Sequence, residues 1–251
     1  MKVIPLSEGG FTVDKTKQFK PFDKETDDLQ LRSPGSLLVE VQPFLVLTEK
    51  DIILIDSGLG FKDNKGFLQL HNNLAKHGIA PDDVTKVLLS HLHKDHAGGI
   101  SNGSSLSFPN ASYYINKQEF DHAFDHSSSS YITEDFLILK NSPQLVLLEN
   151  SGFIDSYITY EMTNAHSLYH QVFWIKDEGK IVFFGGDVAP QLQQMKSRFI
   201  AKYDHDGRKS MELRKQWWEK GLKEDWIFLF YHDIKNPQYP TIGSYKKAGP
   251  K

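Results

Sequence analysis

Six consecutive residues, His91-Leu92-His93-Lys94-Asp95-His96, set the tightest limit on what this chain can build. They place three imidazoles and a carboxylate directly after the run Val84-Thr85-Lys86-Val87-Leu88-Leu89-Ser90 and just before Gly98-Gly99. A short, mostly apolar run bounded by glycine reads as a buried strand. The cluster therefore falls in a loop that leaves a strand and turns toward a helix. In extended backbone, side chains two residues apart point to the same side, so His91 and His93 can reach one ion. Asp95 and His96 follow where the chain turns and can address a second. Gly98-Gly99 let the backbone turn tightly beside them. Imidazole together with carboxylate suits borderline divalent metals such as zinc.

The rest of the composition narrows the chemistry. The 251 residues contain no cysteine, so thiolate ligands, disulfides and cysteine nucleophiles are excluded and every metal ligand must be a nitrogen or oxygen donor. A hydrophobic fraction of 39% is enough for a sizeable core, and the length fits a single large domain, 1–251. The net charge of −3 argues against a nucleic-acid partner, which needs a basic surface, and Lys246-Lys247 is too small a patch to change that. No apolar stretch approaches the ~20 residues needed to cross a bilayer. The start, Met1 to Glu8, lacks the apolar segment of a signal peptide. These features predict a cytoplasmic protein with a small-molecule substrate and no membrane partner.

The pattern predicts strands over 37–41, 44–48 and 52–56, joined as an antiparallel meander. The third run, unbroken and apolar, is expected to be buried on both faces. Phe67, Leu70 and Leu74 recur at helical spacing, with Gly78 as the cap. A short strand at 113–115 and a helix from 117 to 124 follow, then the Ser127–Ser130 run as a loop and a short helix over 136–139. The second half is again rich in strands: 144–148, 157–161, 172–176 and 181–184. Asp177-Glu178-Gly179 forms the turn between the last two. A charged helix over about 210–220 precedes a final buried strand at 227–231. The tail from 234 to 251 reads as irregular, and residues 1–36 as an N-terminal extension of a core at about 37–233. Two α/β halves packed sheet on sheet account for this order.

Three more donors share one context, each lying just after a strand: His166, Asp187 and His232. Sites in layered α/β folds gather where strand ends converge. With the first cluster they supply five imidazoles and two carboxylates. That is too many for one tetrahedral zinc and fits two ions bridged by a carboxylate and a water.

On these residues the chain resembles the metallo-β-lactamase superfamily. His91-Leu92-His93-Lys94-Asp95-His96 matches the first metal motif, and Asp56-Ser57-Gly58 the acidic turn upstream. Thr163-Asn164-Ala165-His166-Ser167-Leu168-Tyr169-His170 resembles the histidine motif of the second half. Phe184-Gly185-Gly186-Asp187 resembles the bridging-aspartate motif, and Tyr231-His232-Asp233 the terminal one. The resemblance implies an αββα sandwich, two mixed β-sheets with helices on the outer faces. It implies one metal on His91, His93 and His166, a second on Asp95, His96 and His232, and Asp187 between them. Two features depart from the family pattern. Leu168-Tyr169-His170 stands where Pro-Gly-His is frequent, which keeps His166 as the ligand and His170 as its support. Pro190 stands where acyl-homoserine lactonases of the superfamily tend to carry a tyrosine, three residues after the bridging aspartate.

The expected activity is metal-dependent hydrolysis of an ester, lactone, thioester or phosphoester. Its cofactors would be two divalent ions, zinc first, with manganese or iron as alternatives. Asp95 would also be catalytic, orienting the bridging hydroxide or carrying a proton to the leaving group. Asp56 would fix the orientation of a ligand. An iron-dependent oxygenase of the same fold and a non-catalytic metal-binding protein are the competing expectations. Phe11, Phe19 and Phe22, and Phe61, Tyr131 and Phe136, are candidates for an apolar rim. Trp217-Trp218 is either core or a homodimer contact, and Asp204-His205-Asp206 reads as a solvated loop, with ion binding as the alternative.

Overall fold

The computed structural model describes residues 1–240; Lys246-Lys247 and most of the tail lie outside the described residues. The chain divides into two compact units, Lys2–Leu147 and a second made of Leu148 onward together with Met1.

The N-terminal unit contains β1 (Lys2–Pro5), β2 (Gly9–Val13), β3 (Phe19–Pro21), β4 (Leu37–Val41), β5 (Phe44–Leu47), β6 (Ile52–Ile55), α1 (Gln69–Ala75), β7 (Lys86–Leu88), α2 (Lys94–Ala97), β8 (Ser112–Asn116), α3 (Lys117–Asp125) and β9 (Leu145–Leu148). Six strands form a mixed sheet in the order β1-β5-β6-β7-β8-β9. β6, β7 and β8 run parallel, and β5 pairs antiparallel with both β1 and β6. β6 is fully buried apart from its first residue, as its unbroken apolar run requires. In α1, Leu70 and Leu74 enter the core, while Phe67 precedes the helix and is exposed. Asn116 caps α3 by accepting from the backbone N–H groups of Gln118 and Glu119.

The expected meander stops at Gln42-Pro43. β4 does not continue into β5; it pairs antiparallel with β2, which also pairs with β3, giving a separate three-stranded sheet. Thus the N-terminal segment is structural rather than an appendage: β1 completes one edge of the main sheet and β2 captures β4. Phe11 on β2 is 2% exposed and packs against Phe19 and Phe61, with ring centroids 5.9 and 5.7 Å away. Phe11 is therefore core, as are Tyr131 and the fully buried Phe136, while Phe19, Phe22 and Phe61 of that set keep exposed surface.

The C-terminal unit contains β10 (Ser151–Ile154), β11 (Ile158–Met162), β12 (Gln171–Asp177), β13 (Lys180–Phe184), α4 (Leu192–Met195), α5 (Gly207–Glu224), β14 (Trp226–Leu229) and β15 (Gln238–Pro240). They form a second mixed sheet, β10-β11-β12-β13-β14-β15, antiparallel except for the β13–β14 pair. The β12–β13 turn takes positive φ at Glu178 and Gly179, as a two-residue hairpin connection demands. β15 corrects the reading of the tail as irregular, because residues 238–240 pair with β14. β10 too has no counterpart among the predicted strands.

An aromatic core of Trp174, Phe183, Trp217, Trp226 and Phe228 joins α5 to this sheet. Trp217 is buried within it, which settles its role as core, and Trp218 packs on Phe228 and Tyr239. The closest approach is at Gly221, where an added Cβ would lie 2.3 Å from the Phe228 ring. A Gly→Ala change inside a helix ordinarily stabilises by roughly 0.5–1 kcal/mol. Overpacking reverses the sign here: Gly221→Ala should lower the unfolding free energy by about 1–3 kcal/mol in denaturant titration.

Candidate metal centre

In the N-terminal unit the donor cluster is assembled by a buried carboxylate. Asp56 ends β6 with φ of 55°, a left-handed conformation that aspartate tolerates better than most residues. Its Oδ1 accepts the Ser90 backbone N–H at 2.7 Å and its Oδ2 accepts the Ser90 hydroxyl at 2.8 Å. The same Oδ2 lies 2.7 Å from His96 Nδ1. Burial pushes the Asp56 carboxyl up, while the His96 charge, its hydrogen bond and the Ser90 bonds pull it down. The contact to Nδ1 leaves His96 Nε2 as the ring nitrogen able to take a metal, the arrangement by which a carboxylate sets the tautomer of a metal-binding histidine. Asp95 Oδ2 is 3.6 Å from that nitrogen.

His91 and His93 lie on the same side, as their spacing predicts. His91 Nε2 is 2.9 Å from His93 Nδ1, close to the roughly 3.3 Å between two nitrogen ligands of one tetrahedral zinc. Between them, the Leu92 backbone N–H donates to Glu119 Oε1 at 2.9 Å, and the Tyr131 hydroxyl donates to the same oxygen at 3.1 Å. Glu119 was not among the sequence candidates. It lies far along the chain and is fully buried on α3.

The glycines act differently from expectation. Gly98 caps α2 with φ of −60°, so no tight left-handed turn is needed there. What Gly98-Gly99 permits is close approach: a Cβ would lie 2.4 Å from the Leu59 carbonyl oxygen at Gly98 and 2.1 Å from that of Ser57 at Gly99. The Asp56–Gly60 loop is therefore pressed against the metal motif, and the Ser57 backbone N–H donates to the His96 carbonyl at 2.7 Å.

The C-terminal unit carries a second cluster. Asp187 sits in the single 3-10 turn Gly186–Val188 after β13, and its backbone N–H donates to His170 Nε2 at 3.2 Å. His170 is thus a buried support for the aspartate. The two Asp187 oxygens each meet a different histidine, Oδ2 at 3.2 Å from His166 Nε2 and Oδ1 at 3.0 Å from His232 Nε2. One carboxylate spanning two imidazoles has the donor arrangement of a metal bridge. Pro190 contributes its carbonyl, which accepts the His232 backbone N–H at 3.0 Å.

Asp204 is a further residue that the sequence argument missed. Its side chain is 1% exposed and its Oδ1 lies 2.9 Å from His166 Nδ1. The segment is strapped down by two backbone bonds, His205 N–H to the His166 carbonyl and Asp206 N–H to the Ala165 carbonyl, at 2.9 and 2.8 Å. Asp206 then caps α5 by accepting from the Lys209 N–H. His205 and Asp206 are exposed, as a solvated loop requires, and only Asp204 departs from it; two aspartates before a charged helix give no local sign that a histidine 38 positions upstream will fold against one of them.

The donors in both units are nitrogen and oxygen only, and two of the histidines, His96 and His166, have one ring nitrogen held by a buried carboxylate. Chemistry and geometry both fit divalent metal ions.

The metallo-beta-lactamase superfamily model matches residues 38–230. The chain belongs to this superfamily, in agreement with the resemblance carried by its motifs. N-acyl homoserine lactonase AttM of Agrobacterium fabrum is 32% identical over 110 residues, 39% of this chain and 38% of that protein. N-acyl homoserine lactonase AiiA of Bacillus thuringiensis subsp. kurstaki is 28% identical over 166 residues, 58% of this chain and 62% of that protein. The match thus spans less than two thirds of either relative. Among solved structures, a probable metal-dependent hydrolase from Staphylococcus aureus superimposes with a TM-score of 0.78 at 22% identity, covering 94% of this chain and 91% of that one. AidC, a dizinc quorum-quenching lactonase solved with its product, gives a TM-score of 0.73 at 19% identity, covering 97% and 91%. These likenesses establish the mixed α/β fold of the superfamily.

Two outcomes follow from the clusters. Asp204→Asn removes the carboxylate behind His166 and should weaken zinc binding by about 10–100-fold in competition titration, with far-UV dichroism unchanged. Glu8 gives a pH signature. Its carboxylate accepts the Leu59 N–H at 2.6 Å, and burial is the main cause that pushes its pKa up to about 7. The folded protein then holds this proton more tightly than the unfolded chain. Stability from this group is complete below the ordinary carboxylate range and is lost as pH rises through about 7. In metal-free protein, Glu8→Gln should gain about 2–3 kcal/mol on wild type between pH 4.5 and pH 8. A pH-independent difference contradicts it.

Proposed function

We propose that the two units act as one metallo-β-lactamase-like domain and that the protein is a dizinc hydrolase of esters or lactones. His91, His93 and His166 would hold one ion and Asp95, His96 and His232 the other, with Asp187 shared between them. The observation that carries this reading is Asp187, with one oxygen on His166 and the other on His232. Within the N-terminal unit His91, His93, Asp95 and His96 cluster on one loop and its adjoining helix turn, and within the C-terminal unit His166 and His232 meet at Asp187, which supports the assignment. The lactonase names of the relatives favour the lactone among the bonds considered; Pro190, where such enzymes tend to carry tyrosine, keeps simple esters beside it.

Bound there, two divalent ions would bring a shared water near neutral pKa and polarise a carbonyl oxygen. The protein's own groups prepare the site. Asp56 holds His96, and Asp204 holds His166, each in the tautomer that presents Nε2. Glu119 fixes the backbone between His91 and His93. Asp95, on the first turn of α2 beside His96 Nε2, would pass a proton to the leaving alkoxide.

The test pairs metal analysis with a substrate panel of N-hexanoyl-homoserine lactone, aryl esters, thioesters and phosphoesters. Two zinc ions per chain are expected. Lactone or ester turnover should fall by at least about 100-fold in His93→Ala. One iron per chain, no turnover across the panel, or an unimpaired His93→Ala overturns the proposal.

A further inference from the structure

Lys94 is the one cationic side chain inside the His91–His96 motif, and its charge opposes the loading of dications by its neighbours. The protein does little to offset it. The Lys94 backbone N–H is fixed on the Ser130 carbonyl at 2.8 Å, and the half-buried side chain carries Nζ to 5.7 Å from the centre of the Phe19 ring. Among the described residues no carboxylate oxygen comes within 4.0 Å of that ammonium. Asp135 feels the charge from beyond ion-pair reach. Burial and Glu134 push its carboxyl up to about 6, against a smaller pull from Lys94, so it is still charged at neutral pH and only its distance keeps it from pairing with the ammonium. A cation–π contact of this kind is worth only about 0.5–1 kcal/mol at an exposed site. A charge that works against its surroundings with no ion-pair partner is a local inconsistency of the kind that functional positions carry. Beside the ammonium, Phe19 and Phe61 pack on Phe11 and keep exposed apolar surface.

We propose that Lys94 is an anion-binding determinant of the substrate site, so that the preferred ester or lactone carries a second, non-reacting carboxylate or phosphate that pairs with Lys94 Nζ beside Phe19. This rests on the hydrolase reading above. An unreactive anion bound there would supply a counter-charge within ion-pair distance, and its apolar linker would lie on the Phe19–Phe61 surface.

The experiment uses the full-length, zinc-loaded protein and a matched pair of aryl esters, 4-nitrophenyl hydrogen adipate and 4-nitrophenyl hexanoate. The ratio of their kcat/KM values, anionic over neutral, should fall about 10-fold in Lys94→Met and recover in Lys94→Arg. A ratio unchanged within about twofold overturns the proposal. The second arm is calorimetric binding of the unreactive anilides of the same two acids. Here the anionic anilide should lose about fivefold or more of its preference in Lys94→Met. If neither ester is turned over, the hydrolase reading is judged on the full panel above, and the binding arm decides on Lys94: equal preference in wild type and Lys94→Met rejects the role.

Discussion

The buried carboxylate of Asp56 is the interaction on which the N-terminal cluster depends. It receives two bonds from Ser90 and faces His96 Nδ1, so one side chain fixes both the exit of β7 and the far end of the histidine motif. A carboxylate with no exposed surface is tolerable only with its oxygens occupied by such donors. Two oxygens shared among three groups leave little freedom in the loop between them. The glycines at 60, 98 and 99 complete the arrangement by letting two backbone segments touch where any side chain would intrude.

The C-terminal unit repeats this logic with different parts. Asp204 stands behind His166 as Asp56 stands behind His96, but it arrives from a connection between α4 and α5 rather than from a strand end. The buried guanidinium of Arg214 on α5 donates to the carbonyls of Val188 and Phe199. One helix thereby holds both the turn that carries Asp187 and the segment that delivers Asp204. In this way α5 connects the aromatic core to the donor cluster.

The strand pattern was legible where apolar runs are long and bounded by turn residues. β5, β6, β8 and the β12–β13 hairpin fall where hydrophobic patterning put them, and α3 begins after a capping asparagine. The pattern failed where pairing partners decide the outcome. β4 looks like the first strand of a meander, yet it joins β2, whose glycine-rich sequence carries little strand signal. Short edge strands such as β10 and β15 owe their existence to a neighbour's unfilled hydrogen bonds rather than to their own composition.

The sequence by itself determined the chemistry: dense histidine after a strand, no cysteine, and further donors at later strand ends specify nitrogen and oxygen ligands for divalent ions. Those statements depend on residue type and local spacing, which a linear chain carries in full. Only the tertiary structure decided which acids stand behind which histidines. Asp204, Glu119 and Glu8 are ordinary acids in sequence, and each acquires its role from a long-range contact that buries it against a specific donor. Tautomer, raised pKa and loop rigidity come from burial and distance, and these exist only once the chain is folded.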